Sequence, residues 1–136
     1  MKNVIKQLFA ICAILVLAAT PAFATGIEGT GTLRVEGEGS IEIEGNGKVQ
    51  IRGTGIVKVA NGKVTGTLHM PGFAMKYTEE IDGVEYTVYE ATKYGSIEIH
   101  KRYGSEMTVL FEGKGKVKAK GTGLSEFEGK GNWNTY

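Results

Sequence analysis

The sequence predicts an all-β fold: antiparallel hairpins forming a barrel-like or two-layer sheet. Three observations carry that expectation. Gly-x-Gly pairs return every eight residues near both ends of the chain, at Gly29/Gly31, Gly37/Gly39, Gly45/Gly47 and Gly53/Gly55, and again at Gly113/Gly115, Gly121/Gly123 and Gly129/Gly131. Between the pairs, apolar and polar residues alternate with period two, which places successive side chains on opposite faces of a strand. Two dipeptides, Asn61-Gly62 and Asp82-Gly83, have the composition of two-residue hairpin turns.

The first element is read as an export signal. Lys2 and Lys6 supply a basic start, Leu8 to Ala19 an apolar run, and Ala22-Phe23-Ala24 a small-x-small cleavage site. Residues 1–24 are therefore expected to be removed, leaving 25–136 as one glycine-rich domain that is secreted, periplasmic or on the cell surface. The apolar run is shorter than the ~20 residues that span a bilayer. Cys12 is the single cysteine and lies in the signal, so neither a disulfide framework nor a cysteine-based zinc site is expected. Without Lys2 and Lys6 the 16 basic residues become 14 against 15 acidic ones. That balance gives no electrostatic case for nucleic acid as a partner.

In the first array the odd positions from Ile27 to Val59 are all apolar or glycine, while the even positions carry Glu28, Arg34, Glu36, Glu38, Glu42, Glu44, Lys48 and Arg52 among others, with Ile56 and Ala60 as exceptions. One dry face and one wet face follow. Because strands typically run ~5–6 residues, some glycine pairs are expected to reverse the chain and others to bend it, using the positive φ that glycine tolerates.

After Val59 the apolar positions move to even numbers, as a two-residue Asn61-Gly62 turn requires. That turn predicts pairing of 59 with 64, 57 with 66, 55 with 68 and 53 with 70, with glycine opposite bulky residues. The Asp82-Gly83 turn predicts Ile81 opposite Val84, Glu79 opposite Tyr86 and Tyr77 opposite Val88, and places Met75, Tyr77, Tyr86 and Val88 in the core. Residues 96–99 and 107–112 are expected to form a third hairpin across His100 to Ser105. The second array resumes the odd rule through Trp133, expected to be buried, and its wet face carries Lys114, Lys116, Lys118 and Lys120. Opposite charges across strands add roughly 0.2–1 kcal/mol each. The lysine-rich segment is thus expected beside the glutamate-rich one, closing the sheet upon itself. A β-solenoid of sixteen residues per coil, two octads to a turn, is the alternative.

For function, the glycines match neither G-x-G-x-x-G nor the Walker A spacing, and Asp82 is the only aspartate, which excludes calcium-binding nonapeptide coils. His69 and His100 lie in different segments with no cysteine to complete a metal site. No nucleophile and base are placed together, so no catalytic residues, metal or cofactor are expected, and the protein is read as non-enzymatic. The candidate binding residues are Tyr94, His100, Lys101, Arg102 and Tyr103, a cationic and aromatic loop suited to an anionic glycan, a phosphate or a protein carboxylate.

Gly-Thr-Gly at Gly53 and Gly121, each followed by an apolar residue (Ile56, Leu124), together with the octads and the Trp133 tail, resembles small exported Gly-x-Gly octad-repeat β proteins without an assigned activity. The resemblance implies a secreted β domain and brings no site residues. The expected role is a structural or surface-interaction protein. A ligand-binding module for glycans or small anions and an outer-membrane β-barrel are the alternatives. The partners left open are a cell-envelope or extracellular protein, a glycan, or a second copy of the chain.

Overall fold

The computed structural model describes residues 20–65, 72–102 and 106–135, with side chains from Gly26 onward. Among these the chain is all-β and antiparallel, with β1 (Thr20–Ala60), β2 (Gly62–Thr65), β3 (Ala74–Ile81), β4 (Val84–Lys101) and β5 (Met107–Thr135). The strand order is β2-β4-β1-β5, with β3 paired to β4. Residues 1–19 of the expected export signal lie outside the described residues, as do His69, Tyr103 and the Gly66, Leu68 and Met70 expected to pair across the Asn61-Gly62 turn.

β1 runs unbroken for 41 residues, which overturns the expectation that no single strand could cover the first array. None of its glycine pairs reverses the chain; all of them bend it. Ile43 pairs with Val109 along one edge and with Ser125 along the other, and Val109 pairs in turn with Val59. One circuit therefore returns to β1 sixteen residues further on. β1 and β5 wind around each other as an antiparallel double coil, and a turn of β5 separates successive turns of β1. The sixteen-residue period is that of the solenoid alternative, but a solenoid stacks turns of one strand directly, whereas here an antiparallel partner intervenes.

Each turn crosses between two layers. The first layer holds residues 39–45 and 55–60 of β1, 107–113 and 123–129 of β5, and 84–91 of β4, with β3 beyond it. The second holds 31–37 and 47–53 of β1, 115–121 and 131–135 of β5, and 96–101 of β4, with β2 beyond it. Glycine pairs form the corners between the layers, and they stack glycine on glycine: Gly53 faces Gly115 and Gly95, and Gly55 faces Gly113. The expected pairing of small with large is corrected by this. A Cβ on Gly53 would run into the Lys114 carbonyl oxygen and come within 2.7 Å of the Gly115 Cα, and its φ of +153° is one that L side chains rarely adopt. Only two glycines face to face let two backbones turn the corner in contact.

The odd positions fill the space between the layers. Ile27, Leu33, Ile41, Ile43, Val49, Ile51, Val57 and Val59 of β1 are buried with Val109, Phe111, Val117, Phe127 and Trp133 of β5 and Ile97 and Ile99 of β4. Trp133 is buried as expected and meets Phe127 edge to face at 5.6 Å. Phe73, just before β3, meets Phe111 in the same way at 6.3 Å.

The Asp82-Gly83 turn has the positive φ at both positions that a I′ hairpin needs, and all three expected pairs form. Tyr86 and Val88 are buried. Met75 and Tyr77 are not: at 58% and 52% exposure they correct the expected core, because β3 is the outermost strand and a bulge falls between them.

Asn61 also takes positive φ, at 58°, yet the hairpin expected there does not form. Val57 and Val59 already pair with Tyr89 and Thr87 of β4 on one edge and with Phe111 and Val109 of β5 on the other. With both edges of β1 occupied, β2 crosses to β4, where Val64 pairs with Ile99. Gly62 is needed for a different reason: a Cβ there would lie 2.7 Å from side-chain atoms of both Ile99 and Val59. The third expected hairpin is likewise corrected, since residues 96–99 pair with β1 in the second layer while 107–112 pair with β1 in the first.

Candidate binding faces

The expected site does not assemble as one loop. Tyr94 is 61% exposed in a bulge of β4, where Thr92, Lys93 and Tyr94 lie opposite the single residue Thr54. His100 is six residues further along β4, beyond the corner at Gly95 and in the other layer, at most about 20 Å away at ~3.3 Å per residue. Lys101 and Arg102 are exposed at the end of that strand, Lys101 donating to Asn46 Oδ1 at 3.0 Å and the Arg102 backbone N–H to the Asn61 carbonyl at 3.3 Å. Tyr103 is outside the described residues.

His100 belongs instead to a cluster about Glu98. Gln50 Nε2 donates to Glu98 Oε2 at 2.6 Å, His100 Nε2 lies 3.1 Å from Oε1, Thr65 Oγ1 donates to Oε1 at 3.4 Å, and Lys48 Nζ is 3.7 Å from Oε2. The bond to His100 is the main reason that the Glu98 carboxyl is held below its ordinary range, with the bond to Gln50 next and the charge of Lys48 assisting against partial desolvation. A lowered folded pKa stabilises the fold above the ordinary 4.5, and that contribution is lost as pH falls through the folded value. Glu98→Gln is accordingly expected to cost about 1 kcal/mol at pH 7, the worth of a partly solvated hydrogen-bond pair. Urea midpoints at pH 7 and pH 3 check this: the difference between variant and wild type should shrink at the acid end.

The larger pattern is one that residue-by-residue reading missed. On the outer surface of the second layer, cross-strand neighbours are Lys48 with Lys120, Arg34 with Lys118, and Arg52 with Lys116. Lys63 faces His100 at its margin. A groove of about 510 Å³ runs over this surface, lined on the outside by Arg34, Glu36, Gln50, Arg52, Lys116, Lys118, Asn132 and Asn134. Glu36 reaches Lys116 at 3.9 Å, both mostly exposed.

The first layer is the reverse. Glu42 faces Glu126, Glu44 faces Leu124, Ser40 faces both Glu112 and Glu128, and Ile56 faces both Glu90 and Glu112. Its groove, about 590 Å³, is lined outside by Ser40, Glu42, Ile56, Lys58, Leu110, Glu112, Glu126 and Glu128, with Tyr77 of β3 as a lip. Lys58 is tied to Glu79 of β3 at 3.1 Å. The surplus of carboxylates is felt at Tyr86, whose phenol is pushed up first by burial and then by the charges of Glu42, Glu44 and Asp82.

The expected meeting of lysine-rich and glutamate-rich segments holds at the corner, where Glu38 faces Lys114 and Lys130, and at Glu36 with Lys116. Elsewhere the charged outward residues face either a like charge, as Glu42 faces Glu126 and Arg52 faces Lys116, or a neutral residue, as Glu44 faces Leu124. The signal for this was present: in each array an acidic stretch (40–44, 124–128) and a basic one (48–52, 116–120) stand one octad apart, and two octads make one turn. No protein-family model matches the chain, and no curated protein matches its sequence.

Proposed function

We propose that this is a non-enzymatic, exported surface-interaction protein that presents a basic face and an acidic face on opposite layers of a rigid coil. One observation carries the reading. Sliding β5 by eight residues along β1 would keep glycine on glycine and apolar positions inward, yet it would set Glu42 opposite Lys118, Glu44 opposite Lys116 and Arg34 opposite Glu126. The slip would give up Glu36 opposite Lys116 and Glu38 opposite Lys114 at the corner, but on the two faces the complementary register is not the one adopted. Like charges directly across strands oppose pairing, so the segregated faces cost stability and find their return outside the chain. Outward positions that are charged on both layers, such as Glu42 and Lys116, are also unlike the apolar band of a membrane barrel.

The reading is tested by ion exchange at pH 7 and low salt. A chain with balanced charge but segregated faces is expected to be retained on both a sulfonate and a quaternary-amine resin; passage through either would count against it. Envelopes of the producing cell should also sediment the protein at low ionic strength and release it near ~0.5 M salt, where screening is short-ranged.

A further inference from the structure

We infer, building on the two-faced reading above, that the groove on the basic layer binds an acidic polysaccharide, a chain of sugars bearing carboxylate or sulfate groups. Arg52 and Lys116 face each other on one row of this layer, and Arg34 and Lys118 on the next, with Gln50 beside Lys118. Side chains on one face repeat at about 6.6 Å along a strand and about 4.8 Å between strands. Arg34, Arg52, Lys116 and Lys118 outnumber the one carboxylate of the groove, Glu36, which reaches Lys116, and leave a surplus of positive charge spaced for a polymer with regularly repeated anions.

Two features separate this from an ordinary solvated face. Lysines commonly guard the edge strands of a sheet against unwanted pairing. These lie on interior strands: the 47–53 segment sits between β4 and β5, and the 115–121 segment sits between two turns of β1. They guard no edge. Second, the amides of Asn134 and Gln50 flank Arg34 and Lys118 on one row of the groove, the Gln50 amide keeping its oxygen available while its nitrogen donates to Glu98. An amide both donates and accepts, which suits sugar hydroxyls, while guanidinium and ammonium groups take the anions.

Nucleic acid is the competing polyanion, and the chemistry favours sugar. Single-stranded nucleic acid binds on exposed aromatic platforms, and the aromatic lining this groove, Trp133, points inward and is 5% exposed. Among the described residues the sheet also presents no projecting element for a duplex groove.

The test titrates the protein with polygalacturonate and with heparin at low salt, with neutral dextran, an oligonucleotide and inorganic polyphosphate alongside. Binding to at least one acidic polysaccharide, weakened about tenfold or more in Arg52→Gln/Lys118→Gln and unchanged in Lys76→Gln/Lys93→Gln, exposed lysines outside both grooves, is expected. Single Lys118→Gln replaces the double variant should that one fail to fold. Gln50→Ala/Asn134→Ala should weaken the polysaccharides and leave polyphosphate unchanged. Absence of polysaccharide binding, indifference to either groove variant, or tighter binding of the oligonucleotide would overturn the assignment. If the protein is still retained on both resins and on envelopes, only the ligand class falls; if that retention is lost as well, the two-faced reading falls with it.

Discussion

Gly53→Ala is expected to lose at least about 3 kcal/mol of stability and, in a domain of this size, to leave much of the chain unfolded. Two costs combine. The backbone at Gly53 has φ +153°, a region that costs an L residue of order 1–3 kcal/mol. The new methyl would also enter the Lys114 carbonyl, and that oxygen belongs to a paired backbone that cannot rotate away. Gly83→Ala is the matched control. Its φ is +80°, but nothing lies within 4 Å of the added carbon, so it should cost about 1 kcal/mol. Urea unfolding of the two variants separates strain alone from strain with a collision. Equal midpoints would mean that the corners are not in contact.

Phe111→Ala is the second large loss, expected at about 3–5 kcal/mol. Phe111 is 4% exposed on β5, pairs with both Ile41 and Val57 of successive β1 turns, and meets Phe73 edge to face. Removing it opens a cavity between neighbouring turns of the coil. It also frees Phe73, which holds the chain at the entrance to β3. A double-mutant cycle with Phe73→Ala should show a coupling of about 0.5–1.5 kcal/mol for the ring pair. Additive losses would show that the two rings stabilise the fold separately.

Much of the local architecture was legible. Alternation assigned Ile41, Ile43, Val49 and Ile51 to the interior and Arg34 and Glu42 to the outside, because the side-chain period of a strand is fixed by the backbone. The Asp82-Gly83 hairpin gave its register residue by residue, since a two-residue turn leaves no freedom in pairing. The Asn61-Gly62 turn misled for a non-local reason. Asn61 takes the expected positive φ and Gly62 does not, and whether a strand folds back on its neighbour depends on whether that neighbour has an unoccupied edge; β4 and β5 had filled both edges of β1. Tyr94 and His100 are close in sequence, but extended chain keeps them apart. The Glu98 cluster, by contrast, draws Gln50, Thr65 and His100 from three strands.

What the sequence alone determined was the class of structure and the side on which each residue stands, together with the places where only glycine could pass. What only the tertiary structure decided was the register between β1 and β5, and with it the two charged faces. The physical reason lies in the repeat itself. A slip of eight residues preserves both the odd-even parity and the stacking of glycine on glycine, so no local preference distinguishes one register from the next. Contacts between segments some eighty residues apart, such as Glu38 with Lys114, make that choice, and they exist only once the two strands have wound together.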